Sequence, residues 1–330
     1  MDKIAITTGD PNGIGAEITI KALNKLDLPT KDIALISNKK ILDFYGKLNK
    51  NYEIIEIPYD VEIQPGKITQ EAGEFSFKAV KKACEIKPKA IVTAPTAKNA
   101  MYLAGHKFNG QTEILQKYLA HDGQLAEMLF VAGNFRVLLL TRHVPLKEIN
   151  LTKELVVEKI SNLKEFFVSH LGIIEPKFAL CGFNPHSGED GILGREEIDI
   201  LIPAVEHLRN KGINITDPLP ADTLFVHAAN NYYNFVEKLN SLKFEQLSKQ
   251  PFNLSTIQPI YDCYIANYHD QGLIPIKTIA GSKTVNMTIG LDIIRTSPGH
   301  GTAFDIAGKN IADETGMIEA IKAIKTSKEP

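Results

Sequence analysis

The amino-acid sequence predicts an α/β protein whose mostly parallel sheet is covered by helices on both faces. Short β-branched runs such as Ile4–Thr7 and Ala90–Thr93 alternate with longer stretches that carry apolar residues at three- and four-residue spacing. Many of the short runs end in Gly, Pro, Thr or His. Ligands of such sheets bind at the carboxyl ends of the strands. We therefore expect the functional residues in the loops that follow strands.

The other elements are predicted in chain order from the same patterns. Strands are expected at residues 33–36, 54–57, 128–131, 137–141, 178–182, 263–267, 274–278, 285–290 and 293–297. Amphipathic spacing predicts helices at residues 75–86, 112–119, 152–171, 196–211 and 314–325. Residues 226–259, which have few turn glycines, are interpreted as a peripheral helical insertion.

Composition excludes several classes of protein. A chain of 330 residues with 44% hydrophobic residues suffices for two α/β domains or one large one. A formal net charge of −2 and the lack of a long Lys/Arg run argue against a nucleic-acid partner. No stretch of about 18 consecutive apolar residues occurs, so we expect no membrane partner. The three cysteines form no C-x-x-C pair, which fits a reducing cytoplasm.

A glycine-containing turn, Gly9-Asp10-Pro11-Asn12-Gly13-Ile14-Gly15, follows the first strand and opens a helix. Glycines permit tight turning and close approach of a ligand. The spacing is neither that of G-x-G-x-x-G nor that of a Walker loop. A plain strand-to-helix turn, with Asp10 as a helix cap, is an equal alternative.

Candidate anion-binding residues lie in two regions. Lys98 and Thr112 occupy a polar loop after the strand at residues 90–93, although Thr112 also suits the N-cap of the next helix. Lys277, Asn286 and Arg295 recur nine residues apart in the last strand-like segments. Arg295 is the strongest candidate because its planar fork matches carboxylate and phosphate geometry.

Three histidines, His143, His186 and His269, each follow a strand-like run. Three imidazoles suit zinc or another divalent ion and leave positions open for substrate oxygens. Their long spacings match no local metal signature, and a single loop histidine more often only donates or accepts hydrogen bonds. Asp222 and Asp270 are candidates for a general base or for orienting a metal-bound histidine, and Asp222 also suits a cap.

These motifs together resemble the family of 4-hydroxythreonine-4-phosphate dehydrogenases along the whole chain except residues 226–259. The segments that carry the resemblance are Gly9-Asp10-Pro11-Asn12-Gly13-Ile14-Gly15, Thr93-Ala94-Pro95, Asn184-Pro185-His186-Ser187-Gly188-Glu189, Ala221-Asp222-Thr223, Tyr268-His269-Asp270-Gln271-Gly272-Leu273, and Arg295-Thr296-Ser297 with His300-Gly301-Thr302. Six separated motifs in the family's order are hard to produce by chance.

The resemblance implies an isocitrate/isopropylmalate dehydrogenase-like fold with two α/β/α domains flanking a cleft. Residues 1–110 with 296–330 would form the first domain, and residues 111–295 the second, which would carry the metal and substrate residues. It also implies a homodimer whose subunits share each active site. The implied reaction is oxidation of 4-hydroxy-L-threonine 4-phosphate by NAD or NADP to a β-keto acid, which decarboxylates to 3-amino-2-oxopropyl phosphate.

The resemblance also implies roles for individual residues. A divalent ion, zinc, magnesium or cobalt, would be held by His143, His186 and His269. Substrate contacts would come from Gln111, Thr112, Lys277, Asn286 and Arg295, and the catalytic residues from Asp222, Asp270 and Lys277. Residues 300–312 look like the adenine-side nucleotide loop of the β-decarboxylating dehydrogenases, so the cofactor residues would be His300, Gly301 and Thr302 with Gly9, Asp10 and Gly13.

Two positions depart from the family's pattern. The family usually has His-Thr where this chain has Gln111-Thr112, and Asp where it has Gly299. Glutamine can donate a hydrogen bond but carries no charge, so the first change bears on phosphate affinity and substrate identity. Alternative functions are a dehydrogenase of threonate or erythronate 4-phosphate, a phosphate acyltransferase of similar fold, and a non-catalytic anion-binding protein.

Overall fold

The computed structural model describes residues 1–245 and 260–325 of the chain. The strands are β1 (Ile4–Thr7), β2 (Ile33–Ser37), β3 (Glu53–Glu56), β4 (Ala90–Thr93), β5 (Glu127–Ala132), β6 (Phe135–Leu139), β7 (Lys177–Leu180), β8 (Asn214–Ile215), β9 (Cys263–Ala266), β10 (Val285–Ile289) and β11 (Arg295–Pro298). The α-helices are α1 (Gly15–Leu26), α2 (Lys39–Tyr45), α3 (Gln70–Glu85), α4 (Lys98–Leu103), α5 (Gln111–Leu119), α6 (Lys153–Leu171), α7 (Ile202–Asn210), α8 (Ala221–Glu245), α9 (His269–Ala280) and α10 (Thr315–Lys325). No helix in the described part of the chain is long and apolar enough to cross a membrane.

The chain divides into two compact units, Met1–Met128 with Ser282–Pro330, and Leu129–Gly281. The unit boundaries differ from the predicted domain boundaries at 110/111 and 295/296. The first unit holds α5, which packs against α3, and the β10–β11 pair, in which β11 is parallel to β4. Gln111, Thr112, Asn286 and Arg295 therefore belong to the first unit, whereas the three candidate metal histidines belong to the second.

Strands of the first unit lie in the order β3-β2-β1-β4-β11-β10. All neighbours are parallel except β10 and β11, which are antiparallel. Successive residues of β1 point to opposite faces. Ile4 and Ile6 enter one apolar cluster with Met317 of α10, and Ala5 enters another with Phe75 of α3. Helices thus cover both faces of this part of the sheet, as the sequence predicts.

Strands of the second unit lie in the order β5-β6-β9-β7-β8. The hairpin of β5 and β6 is antiparallel, and the remaining pairs are parallel. In this order β9 lies between β6 and β7, so the carboxyl ends of these three strands meet at one edge of the sheet. The candidate metal histidines follow these three strands.

Several sequence predictions differ from the observed elements. Residues 274–278 are not a strand but part of α9, whose buried Leu273, Ile276 and Ala280 have helical spacing. The polar loop expected after β4 contains the short helix α4. The predicted helix at 196–211 begins with a π-helical turn, Glu197–Leu201, before α7. Of the predicted insertion, residues 226–245 belong to α8, and 246–259 lie outside the described residues.

The three cysteines, Cys84, Cys181 and Cys263, are free thiols with buried side chains. Burial disfavours the charged thiolate, and it raises the pKa of Cys84 and of Cys263 to about 12. The pKa of Cys181 is raised for the same reason. Since the thiolate is the reactive form, all three are kept inert in the folded protein.

Gly73 provides a test of the packing between α3 and α4. A Cβ at Gly73 would lie 2.0 Å from the main-chain oxygen of Ala100, which cannot rotate away. Alanine is the better helix former by about 1 kcal/mol, but overpacking of this kind costs about 1–3 kcal/mol. Because the contact is with rigid main chain, we expect the cost to exceed the gain and Gly73→Ala to lower the free energy of unfolding by about 1–2 kcal/mol in urea titrations. The control is Gly301→Ala, whose new Cβ meets nothing within 4 Å and which should stay within about 0.5 kcal/mol of wild type. A Gly73→Ala variant as stable as wild type would contradict this packing.

Candidate active site

The turn after β1 is packed directly against the main chain of the loop after β4. Gly9 has a φ of +72°, and a Cβ there would lie 2.2 Å from the carbonyl oxygen of Pro95. The N–H of Asp10 donates to the same carbonyl at 2.9 Å. At Gly15, a Cβ would lie 2.2 Å from the oxygen of Thr8. Both glycines are therefore required by close approach of main chains.

Asp10 lies in this turn and is fully buried. Its Oδ1 accepts a hydrogen bond from the N–H of Asn12 at 2.8 Å, whereas its Oδ2 is buried without a partner among the described residues. Burial raises the pKa of Asp10 to about 6, against the smaller opposing effect of the hydrogen bonds from main-chain N–H groups. Gly9 and Gly13 are buried as well. Cofactor contact by these three residues stays a prediction, and their surroundings are those of a supporting element.

The second predicted cofactor segment adjoins the first. His300 and Gly301 are exposed, and Thr302 is half-buried. The N–H of Ile14 donates to the oxygen of Thr302 at 3.1 Å, and a Cβ at Gly13 would lie 3.0 Å from Thr302 Cβ. The structure thus brings together the two segments that the sequence analysis assigned to the cofactor.

Gly299 precedes this loop, and close contact with neighbouring main chain leaves no room for a side chain at this position. A Cβ at this position would lie 2.6 Å from the main-chain oxygen of Thr284, to which the N–H of Gly299 also donates at 3.0 Å. The aspartate that is usual in the family would need the main chain to move here.

Arg295 is the centre of the candidate anion site. It is 3% exposed, its Nε donates to Thr93 Oγ1 at 2.8 Å, and its Nη2 donates to Gln111 Oε1 at 2.9 Å. Burial lowers its pKa to about 9, with a smaller opposing effect of Glu113, so the guanidinium still carries its charge at neutral pH. A buried cation with its orientation fixed by two acceptors suits recognition of an anion.

Both polar groups of the Gln111 side chain form hydrogen bonds within the protein. Its amide nitrogen donates to the oxygen of Ala94 at 3.1 Å and to Thr96 Oγ1 at 3.0 Å, while its oxygen accepts from Arg295. The side chain therefore orients Arg295 against the loop after β4. Thr112 is not the N-cap of α5, as the alternative interpretation had it, because Gly110 occupies that position. Thr112 lies buried in the first turn.

Asn286 lies on the antiparallel strand beside Arg295. In the register of the pair, Asn286 is opposite Ser297 and Thr288 is opposite Arg295, so these side chains share one face. The Oδ1 of Asn286 is buried without a hydrogen-bond partner in the described part of the chain. An unused acceptor near a fixed cation is compatible with the substrate role predicted for Asn286.

The second unit carries the candidate metal residues at one sheet edge. His143, His269 and His186 follow β6, β9 and β7, and the rings of His143 and His269 are 5.6 Å apart between centroids. His269 Nδ1 lies 2.7 Å from Asp270 Oδ1, an arrangement that orients metal-ligating imidazoles in proteins.

His143 and His269 are close enough to bind one divalent metal ion together, but the described residues of one chain supply no third ligand. Nitrogens that both bind zinc at about 2 Å lie no more than about 4 Å apart, and a centroid separation of 5.6 Å allows this. The donor set of one chain is incomplete, however. The residues that the structure describes contain no group of three His, Cys, Asp or Glu side chains that could hold an ion. His143 and His269 thus form a pair that His186 of the same chain does not complete.

His186 lies in a turn of unusual conformation, and Glu197 binds the two residues that lead into this turn. Residues 186–190 all have positive φ, and four of the five are not glycine. Glu197 is 3% exposed, and its Oε1 accepts from the N–H groups of Phe183 and Asn184, each at 2.7 Å. Its Oε2 accepts from Asn184 Nδ2 at 2.9 Å. Glu197 supports the loop that bears His186, and this particular contact could not be predicted from the sequence because its partners are 13 and 14 residues away.

An amide network ties the same strand ends together. Gln271 Nε2 donates to the oxygen of Gly182 at 2.7 Å, and its Oε1 accepts from the N–H of Asn267 at 2.7 Å. Asn267 Nδ2 donates to the oxygen of Cys181 at 2.9 Å, and the N–H of Thr141 donates to the oxygen of Asn267 at 3.1 Å. The loops that bear the three histidines are therefore anchored to one another.

The remaining predicted residues are exposed. Asp222 lies in the first turn of α8, where an acid is favourable for the helix dipole, and follows Leu219, which bridges to Cys181 beside the end of β7. Lys277 lies in the last turn of α9. The helical rise separates it from His269 of the same chain by about 12 Å along the helix axis. Their roles in catalysis stay predictions.

Comparisons with known proteins show to which family this chain belongs. The family model described as "Pyridoxal phosphate biosynthetic protein PdxA" matches residues 4–324. A 4-hydroxythreonine-4-phosphate dehydrogenase from Sulfurihydrogenibium sp. (strain YO3AOP1) is 38% identical, with 98% of this chain and 97% of the relative covered. A relative from Oceanobacillus iheyensis, named as a D-threonate 4-phosphate dehydrogenase, is 36% identical, with 96% of this chain and 95% of the relative covered.

Solved structures give the same result. The 4-hydroxythreonine-4-phosphate dehydrogenase of Klebsiella pneumoniae superposes with a TM-score of 0.80 at 29% identity, covering 99% of this chain and 98% of that chain. Isocitrate dehydrogenase from Methylococcus capsulatus has a TM-score of 0.50 at 13% identity, covering 98% and 85% of the two chains. At that identity the likeness concerns the fold alone. The predicted α/β fold of the isocitrate dehydrogenase type is confirmed.

Asp10 gives the folded protein a pH dependence of defined sign. The carboxyl keeps its proton up to about pH 6 in the folded state and up to about 3.8 in the unfolded state, so stability falls as the pH rises through this window. We expect wild type to lose about 2 kcal/mol relative to Asp10→Asn between pH 4 and pH 7, most of the total of about 3 kcal/mol that this pKa difference gives. Urea unfolding of both proteins from pH 4 to pH 7 measures this difference, in which the other titrating groups cancel. A difference independent of pH would refute the burial of an ionisable Asp10.

Proposed function

Because this chain belongs to the PdxA family of pyridoxal phosphate biosynthetic proteins, we propose that it is a 4-hydroxythreonine-4-phosphate dehydrogenase. The substrate hydroxyl is oxidised to a ketone, one hydride passes to NAD or NADP, and one proton is released. The β-keto acid then loses carbon dioxide and gives 3-amino-2-oxopropyl phosphate. The observation that carries the proposal is similarity over the full length to relatives with this activity in their names.

Arg295 supports binding of a phosphorylated substrate. Its guanidinium is buried and fixed by Thr93 and Gln111, so it loses little conformational freedom when an anion binds. The N–H groups at the start of α5 and the hydroxyl of Thr112 add donors at the same loop. In this interpretation Gln111 acts through Arg295, and the histidine that is usual in the family is replaced by a residue that orients the cation.

A divalent metal is the second part of the proposal. His143, His186 and His269 would hold it, with a second copy of the chain completing the donor set that one chain leaves incomplete. When bound, such an ion would favour ionisation of the substrate hydroxyl. Asp270 orients the ring of His269 through Nδ1, so we assign proton transfer to Asp222 or Lys277 rather than to Asp270.

Exposed apolar side chains support the homodimer. Val144, Ile192, Val226 and Ile274 are between 44% and 78% exposed, and each lies within a few residues of His143, His186, Asp222 or His269 in sequence. Soluble proteins rarely expose several such side chains around a polar site unless a partner covers them. A second copy of this chain is the partner that the metal proposal requires.

The decisive measurement is NADH or NADPH formation with two candidate substrates. We expect turnover with 4-hydroxythreonine 4-phosphate to exceed that with threonate 4-phosphate by about tenfold or more in kcat/KM. The opposite preference would support the dehydrogenase of sugar acid phosphates, the activity in the name of one relative. No reduced cofactor with either substrate, together with phosphate-dependent acyl transfer, would assign the chain to the acyltransferase class.

The metal proposal is tested by removing one histidine. We expect His186→Ala to abolish bound metal and to lower kcat by more than about 100-fold, because even groups behind metal ligands cost about 10–100-fold when removed. The control is His121→Ala, an exposed histidine that pairs with Asp292 within the first unit, away from the candidate metal residues of the second unit, and should keep both metal and activity. Metal content follows from elemental analysis, and circular dichroism checks the fold. Unchanged metal content in folded His186→Ala would refute its role as a ligand.

A further inference from the structure

One face of α1 lies along the predicted nucleotide loop. Residues 17, 21 and 25 of α1 are four apart and therefore share that face of the helix, and Gly13 lies in the turn just before it. Gly13 packs on Thr302, Glu17 and Lys21 contact residues 310–312, and Lys25 forms an ion pair with Glu314. The turn before α1 thus contacts the loop at Thr302, and the helix face contacts it at residues 310–312.

Glu17 and Lys21 make the central contacts of this face. Glu17 is 1% exposed, and its Oε1 accepts from Lys21 Nζ at 2.7 Å and from the N–H of Ala312 at 2.8 Å. Lys21 Nζ also donates to the oxygens of Asn310 and Ala312, each at 3.1 Å. All three N–H donors of the ammonium group therefore form hydrogen bonds, two of them with main-chain oxygens of the loop.

The loop depends on these contacts because it has little regular structure of its own. Between β11 and α10 the chain forms only turns, and Ala303 has a φ of +42°, which is unfavourable for alanine, while Asn310 has a φ of +58°, which asparagine tolerates. A short segment in such a conformation persists only when its surroundings determine it. Glu17 and Lys21 supply that restraint at one end, and Ile14 supplies it at Thr302.

We propose that Glu17 and Lys21 are positioning residues that hold residues 310–312 in the conformation that receives the adenosine part of the dinucleotide. The proposal rests on the proposed function, since it assumes a dinucleotide at residues 300–312. Glu17 is too deeply buried to touch the ligand itself. Because the ion pair of Glu17 and Lys21 already orders the loop, binding of the dinucleotide costs less conformational entropy.

The kinetic test compares Lys21→Met with Lys25→Met. Both substitutions remove an ammonium group from the same helix face, but Lys25 contacts a side chain, Glu314, and no main-chain group of the loop. We expect Lys21→Met to raise the KM for the dinucleotide about tenfold, the effect of losing charge-assisted hydrogen bonds, with kcat and the KM for the phosphorylated substrate unchanged. Lys25→Met should leave all three constants near wild type. Equal changes in both KM values would overturn the positioning role.

A second measurement does not depend on catalysis. Hydrogen exchange at the N–H groups of residues 303–312 should be faster in Lys21→Met than in Lys25→Met without any ligand. Unchanged exchange would overturn the proposal whatever the kinetics show. Faster exchange in a protein whose wild type binds neither NAD nor NADP by calorimetry would refute the proposed function and, with it, the assignment of the loop to a cofactor.

Lys21→Met leaves the buried carboxylate of Glu17 with one fewer partner, which destabilises the folded protein, so a variant without either charge is needed as well. The double variant Glu17→Gln with Lys21→Met removes both charges, and the glutamine oxygen still accepts from the N–H of Ala312. We expect the double variant to show the same rise in the KM for the dinucleotide. A wild-type KM in the folded double variant would overturn the proposal.

Discussion

The loop after β4 is the constraint on which both candidate binding regions of the first unit depend. On one side its carbonyl at Pro95 meets Gly9 and accepts from Asp10, with no side chain between the two main chains. On the other side Ala94 and Thr96 receive the amide of Gln111, which in turn fixes Arg295. Closely packed main chains cannot move apart independently, so a displacement on one side of the loop is transmitted to the other side. The turn predicted to contact the cofactor and the candidate anion site therefore share one support.

Strand positions could be predicted well because the pattern and the physics coincide there. β1 and β4 match their predicted ranges, since short β-branched runs bounded by turn residues have few other solutions in a covered parallel sheet. The segment at 274–278 shows the limit of this reasoning. Ile-Pro-Ile-Lys-Thr is a short apolar run, and such runs do not distinguish a strand from a buried helix. Only packing against β6 and β9 shows that Leu273, Ile276 and Ala280 form one helix face.

The candidate site was predictable residue by residue but not in its arrangement. Strand-end placement singles out His143, His186 and His269, yet only the strand order puts β9 between β6 and β7. The sequence could not reveal Glu197, because a carboxylate in a helical turn resembles an ordinary first-turn acid until its three hydrogen bonds to Phe183 and Asn184 are seen. The hydrogen bonds of Gln111 to Ala94, Thr96 and Arg295 are likewise visible only in the structure, and its substrate contact stays a prediction.

The three buried thiols allow unfolding of the chain to be followed by chemical labelling. It has no tryptophan, so the usual intrinsic fluorophore is missing. Cys84 lies in the first unit, and Cys181 and Cys263 lie in the second. Because a thiol reagent attacks only a cysteine that has left its apolar surroundings, the order in which the three positions become labelled in denaturant reports which unit opens first.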